Sequence, residues 1–110
     1  MRTRKTQSIR SSASVAGAAS LIIDAKTRCL PVVNGNKVIG VLSEGDILRA
    51  LLKGSSPQTP ITSLIRIDFI YLTEGCEENP YEIMKIYDVT MIPIVDANMC
   101  LVKLVCLGDS

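Results

Sequence analysis

Four consecutive residues in the first half of the chain, Ser43-Glu44-Gly45-Asp46, are of types and in an order that could hold a phosphate. They precede the apolar run ILRALL, whose spacing predicts a helix over residues 46–53 that ends at Gly54. The start of a helix presents unpaired backbone N–H groups and the positive end of its dipole, so an anion placed there meets ready donors. The Ser43 hydroxyl would add another. The same four residues also spell a capping box, in which serine and acid satisfy each other's backbone donors and nothing is bound. Spacing alone leaves both readings open.

The elements that would position these residues occur twice. Residues 29–47 read CLPVVNGNKVIGVLSEGDI and residues 91–109 read MIPIVDANMCLVKLVCLGD, so Pro31 matches Pro93 and Asp46 matches Asp109. A repeat of about sixty residues, present as two copies, is that of one small unit packed as a pair. In the first copy Ser14 is a suitable N-cap for a helix to about Ala25, with Ala18, Leu21, Ile22 and Ala25 on one face. Cys29 to Val33 reads as a buried strand, Asn34-Gly35 as a hairpin turn, and Lys37 to Leu42 as the return strand. The stretch SSPQTP, residues 55–60, is the linker. In the second copy residues 68–72 read as a strand, and Asn79-Pro80-Tyr81-Glu82 as a helix start with Asn79 capping and Glu82 closing a box. Met91 to Val95 and Cys100 to Cys106 repeat the hairpin with a turn one residue longer. No counterpart of the helix over 46–53 follows.

The stretch from Leu30 to Ile47, with Pro-Val-Val, then Gly40, then Ser43-Glu44-Gly45-Asp46-Ile47, resembles the CBS domain, the regulatory motif named after cystathionine β-synthase. The resemblance implies an α/β (α+β) fold of two β-α-β-β-α motifs packed with pseudo-two-fold symmetry, the second without its last helix. Motif 1 with a basic arm spans residues 1–54, the linker 55–60 and motif 2 residues 61–110. It also implies a site. The Ser43 hydroxyl would contact a nucleotide phosphate, Asp46 would accept from ribose hydroxyls, Gly45 would let the backbone approach, and adenine would lie against Leu30 and Pro31. The ligand would be AMP, ADP or ATP, with S-adenosylmethionine as an alternative. A weaker second site would comprise Ile92, Pro93, Cys106 and Asp109, where Cys106 stands for Ser43 and Lys103 for Gly40; a thiol is a poorer phosphate donor than a hydroxyl. The stretch GDILRALLKG with its Ser-Pro loop is further similar to CBS pairs attached to bacterial sugar-nucleotide transferases and sugar-phosphate isomerases. The expected protein is a homodimeric regulatory module of a fused or associated metabolic enzyme. The competing expectation is a dimerisation or scaffold module with a vacated site.

Composition narrows the classes. The chain has 110 residues, 47% of them hydrophobic, enough for one compact core and too few for an enzyme plus a regulatory part. A net charge of +1, with one Phe, three Tyr and no Trp, does not favour nucleic acid as a partner. Cys29, Cys76, Cys100 and Cys106 lack paired metal spacing and there is no histidine, which reads as a reduced, cytoplasmic protein. Glu74, Glu77 and Glu78 complement the dipole of the helix they precede rather than hold a metal, and Met84, Met91 and Met99 are core residues. No Ser, Cys or Lys has a candidate base beside it, so catalysis is not expected. Arg2, Arg4, Lys5 and Arg10 read as a solvated arm rather than a presequence. The apolar stretch behind them, broken by Ser14, Gly17 and Ser20, is too short to span a bilayer.

Overall fold

The computed structural model describes residues 7–107. Arg2, Arg4, Lys5 and Asp109 lie outside the described residues. The first half runs β1 (Ile9–Arg10), α1 (Val15–Ala25), β2 (Cys29–Asn34), β3 (Lys37–Ser43) and α2 (Glu44–Leu52). After a short 3-10 turn (Ile61–Ser63), the second half runs β4 (Leu72–Thr73), α3 (Pro80–Tyr87), β5 (Met91–Val95) and β6 (Leu101–Cys106). Each half forms a three-stranded sheet, β1-β2-β3 or β4-β5-β6, with a parallel first pair and an antiparallel hairpin. The result is a mixed α+β fold in two like halves.

The repeat holds residue by residue. Cys29 faces Ser43 and Pro31 faces Val41 in the first hairpin, as Met91 faces Cys106 and Pro93 faces Leu104 in the second. Both ladders slip by one residue just after, between Val32 and Val33 and between Ile94 and Val95. Proline is normally excluded from a central strand because it has no N–H to give the ladder. Here the parallel neighbour begins one residue later, at Val32 and at Ile94, so the missing donor falls where no strand needs it.

The caps follow from the side chains at the helix ends. Ser14 Oγ accepts from the Gly17 N–H at 3.1 Å and starts α1. Ser43 and Asp46 form a reciprocal capping box, so α2 begins at Glu44, two residues before the sequence-based start. Asn79 caps α3 through the Tyr81 N–H at 2.9 Å, one position short of the expected box with Glu82, because Pro80 at the first helical position leaves Tyr81 as the first free donor.

Two expectations are displaced and one, the length of the second turn, holds. The first hairpin turn is Gly35-Asn36 rather than Asn34-Gly35, since Asn34 still pairs with Lys37 and Gly35 takes the positive φ (65°) that a two-residue turn demands. The second turn is one residue longer: Asp96 pairs through its N–H with Cys100 O, and Met99 takes the left-handed position at φ 65°. Of residues 68–72, only Leu72 is in a strand, as β4 is Leu72–Thr73 and pairs with Ile94 and Val95. The preceding residues instead run across the gap between halves.

The two halves share their interior. Met91, Leu104 and Cys106 pack into the same cluster as Ile9, Ile22, Leu30, Val32, Leu42 and Ile61. The hairpin tips are stitched by Val38 N–H to Met99 O (2.9 Å) and Leu101 N–H to Asn36 O (3.1 Å). Val41 and Arg66 exchange two backbone bonds, at 3.0 and 2.9 Å, so the crossing segment after the 3-10 turn covers the outer edge of β3. An edge strand left open would be a template for foreign pairing. That crossing explains Gly40: a Cβ there would sit 2.5 Å from Arg66 O and closer still to the Ile65 side chain. At the matching position in β6, Lys103 is exposed.

Candidate ligand-binding cleft

Asp46 is the centre of the site. Its side chain, 10% exposed, accepts from Ser43 Oγ at 2.8 Å and from the Ser43 N–H at 3.2 Å, both at Oδ2. Arg49 Nη2 donates to Oδ1 at 2.7 Å. Arg66, twenty positions along the chain, closes the set: its Nε lies 3.1 Å from both oxygens and its Nη2 3.0 Å from Oδ1. Burial alone would raise the Asp46 carboxyl, but the bonds from Arg66, Ser43 and Arg49 outweigh it and hold the group well below the usual carboxylate range. The carboxylate therefore stays charged across the physiological range.

Beside this pair lies a cleft of about 290 Å³ lined by Cys29, Val41 and Ser43 of the first half, Arg66, Asp68, Phe69 and Ile70 of the crossing segment, and residues 88–91 of the second. It is near the lower end of the usual small-molecule pocket range, about 300–1,000 Å³, and has room for one nucleoside-sized ligand. The Cys29 thiol at its floor is pushed up to about 12 by burial, then by the charges of Asp46 and Cys106, and is inert as a nucleophile near neutral pH. A second cavity, about 260 Å³, lies on the far side of the Asp46 carboxylate, between Arg49, Lys53, Ser55 and Ser63. The Arg66–Asp46 pair thus stands as a wall between the two.

The predicted residues divide. Ser43 lines the cleft and Asp46 borders it through Arg66. Pro31 shares the strand face of Cys29, while Leu30 points to the opposite face and packs at 1% exposure among Leu42, Ile22 and Val32. Gly45 sits in the first turn of α2 against the Arg49 guanidinium. Of the second set, Ile92, Pro93 and Cys106 are buried. Arg66, Phe69, Asp68 and Asp88 were not singled out by the sequence. No local spacing marks them, because they reach the site through the segment that crosses between the halves after the 3-10 turn and through the end of α3. Cys76 and Cys100 form no disulfide, and Cys76 is exposed. No metal-holding cluster of His, Cys, Asp or Glu occurs among the described residues, and none of their helices is long and apolar enough to cross a membrane.

Residues 1–53 match the sequence model described as the CBS domain. No curated protein sequence matches the chain. Among solved structures, the chain is similar to the Vibrio cholerae protein described as AcuB, with 24% identity, a TM-score of 0.82, and coverage of 94% of this chain and 78% of that one. It is likewise similar to the CBS domain protein PAE2072 from Pyrobaculum aerophilum, complexed with AMP, at 20% identity and a TM-score of 0.78, covering 96% and 82%. The CBS domain pair of protein MJ0100, in complex with 5′-methylthioadenosine and S-adenosyl-L-methionine, matches at 23% identity and 0.76, covering 94% and 83%. The fold of this chain is that of CBS-domain proteins.

Proposed function

We propose that the chain is a tandem CBS pair that binds an adenine nucleotide or related adenosyl ligand in the cleft between its halves and so regulates an enzyme fused to it or associated with it. The observation that carries the reading is the cleft itself: residues of both halves line one cavity beside Ser43 and the Asp46–Arg66 pair. It is supported by fold neighbours crystallised with AMP and with S-adenosyl-L-methionine. A ribose diol offers two O–H donors and would replace the two-pronged Arg66 fork on Asp46. Because the cleft spans both halves, a ligand that fits one arrangement better than another biases the module toward it, and the bias is limited to that difference in affinity. The regulated activity is a metabolic enzyme of the cytoplasm, with sugar-nucleotide transferases or sugar-phosphate isomerases suggested by the GDILRALLKG stretch. The module acts as a homodimer.

The second reading, a scaffold without ligand, has a specific observation in its favour: Ser43 and Asp46 already satisfy one another and both arginines. A thermal-shift series with AMP, ADP, ATP and S-adenosylmethionine, run on the wild type and Asp46→Ala, separates the two. Ligand at a hundred times its dissociation constant adds about 2.7 kcal/mol of stability. The sensor reading expects a shift in the wild type that the variant loses; no shift with any compound would leave the scaffold.

A further inference from the structure

We propose that the cleft takes a phosphate-free adenosyl ligand, preferring one with a positive charge, over AMP or ATP; this rests on the adenosyl reading above and narrows it. Three independent features of the site argue for it. First, the donors a phosphate would use are spent. The Glu44 N–H bonds Arg28 O at 2.8 Å, the Asp46 N–H bonds Ser43 Oγ at 3.2 Å, and the Ser43 hydroxyl gives its proton to Asp46. Two of the first three N–H groups of α2 are thus already taken, and a helix start attracts an anion chiefly through such groups.

Second, the cation comes matched with its own carboxylate. Among the described residues that line the cleft Arg66 is the sole cation, and Asp46 holds it with three contacts of 3.0–3.1 Å. A ribose that displaced Arg66 would free the guanidinium without changing the total charge. Third, the remaining charges on the lining are Asp68, from the crossing segment, and Asp88, at the end of α3, both exposed at the mouth of the cleft. With Arg66 neutralised by Asp46, which borders the cleft and also takes a bond from Arg49, the two carboxylates on the lining itself are left unbalanced. A polyphosphate entering this field is repelled, whereas a sulfonium or ammonium group carried on the 5′ side of an adenosine is drawn in. The base has an apolar, partly aromatic wall in Val41, Phe69, Ile70 and Met91.

The test is calorimetric titration of the full chain with adenosine, 5′-methylthioadenosine, S-adenosylmethionine, AMP and ATP, the last with and without Mg²⁺. The same series is run on Asp68→Asn/Asp88→Asn. Asparagine keeps the shape of both side chains and tolerates the left-handed φ of 54° at position 88. The wild type should bind S-adenosylmethionine or 5′-methylthioadenosine at least about tenfold more tightly than AMP or ATP. In the double variant S-adenosylmethionine should weaken by about three- to tenfold, AMP and ATP should gain by a similar factor, and adenosine should not change, as expected for two exposed charges. Raising the salt should shrink the wild-type preference in the same direction. Tighter binding of AMP or of ATP, in either metal condition, would overturn this inference and leave the adenosyl reading standing. Absence of binding by all five compounds would overturn both.

Discussion

Gly40 and Lys103 occupy matching positions in the two hairpins, and the contrast between them is a matter of what lies on top. Over Gly40 the backbone at Arg66 passes within a distance that leaves no room for a methyl group. Gly40→Ala should therefore push the 65–66 segment outward and cost about 1–3 kcal/mol, the usual penalty for overpacking, measured by urea denaturation. The same displacement loosens the Arg66 fork, so the variant should also lose ligand affinity; an alanine variant of wild-type stability would mean the crossing is not tight. Lys103→Ala, at an exposed position, should change stability by no more than about 0.5 kcal/mol. The cysteines sort by the same logic of surroundings. Cys76 is exposed and Cys106 is buried at 4%, while the Cys29 thiol is held protonated by burial. Iodoacetamide should modify Cys76 first, Cys29 slowly because its half-buried thiol stays protonated, and Cys106 only with unfolding. Prompt labelling of Cys106 in the folded protein would contradict its placement. Ser43, Gly45 and Asp46 could be read from the sequence because a cap is a local pattern. Arg66 could not, since its partner is twenty positions away and nothing near it is unusual.

At the scale of elements, the start of α2 carries both the architecture and the proposed site. Ser43→Ala removes a cap and should cost about 0.5–2 kcal/mol by chemical denaturation, independent of any ligand. Asp46 adds a dependence on pH whose sign follows from its lowered carboxyl. A carboxyl depressed by folding stabilises the protein fully above its unfolded value, about 3.9, and loses that contribution as pH falls below it. The stability gap between wild type and Asp46→Asn should accordingly be constant from about pH 5 to 8 and narrow only below about pH 4. A gap that closed between pH 5 and 7 would refute the ion-pair account. Elements whose burial is continuous were legible: CLPVV and MIPIV read as strands because central strands of a covered sheet are apolar along their length. The expected strand over 68–72 fails for a reason of topology. Asp68, Phe69 and Ile70 have the composition of a strand, yet only Leu72 and Thr73 find a partner in β5. The pattern of apolar residues records burial, and here burial comes from the cleft and not from a ladder.

For the whole molecule, the decisive fact is that the main core is built by both halves. The second half alone has Leu72, Met84, Ile92 and Ile94 as its buried cluster, while its Met91, Leu104 and Cys106 are lodged in the first. The repeat announced a pair, but the extent of sharing was not readable, because which strand face meets which is set by packing between the copies. Apolar side chains stay uncovered: Leu48 is 58% and Leu52 86% exposed on α2, Ile23 73% on α1 and Ile86 70% on α3. Leu48→Lys with Leu52→Lys should convert the expected homodimer to a monomer in sedimentation equilibrium while leaving the cleft intact; a wild type that sediments as a monomer at all concentrations would remove the dimer from the proposal. The shared core makes a further demand on the chain itself. Halves of about fifty residues fall in the size range where burial is marginal for independent folding, and these halves would each expose the surface that the other covers. Residues 1–54 and 61–110 prepared separately should each lack a cooperative thermal transition by circular dichroism, and mixing them should restore one. The intact chain should melt in a single step, with Leu104→Ala lowering the whole transition by about 2–5 kcal/mol, since that side chain sits in a core built mostly by the other half. Two separable transitions, or a Leu104→Ala effect confined to signals from the second half, would mean that the halves are independent units in contact, and the cleft between them would then be too loosely defined to select a ligand.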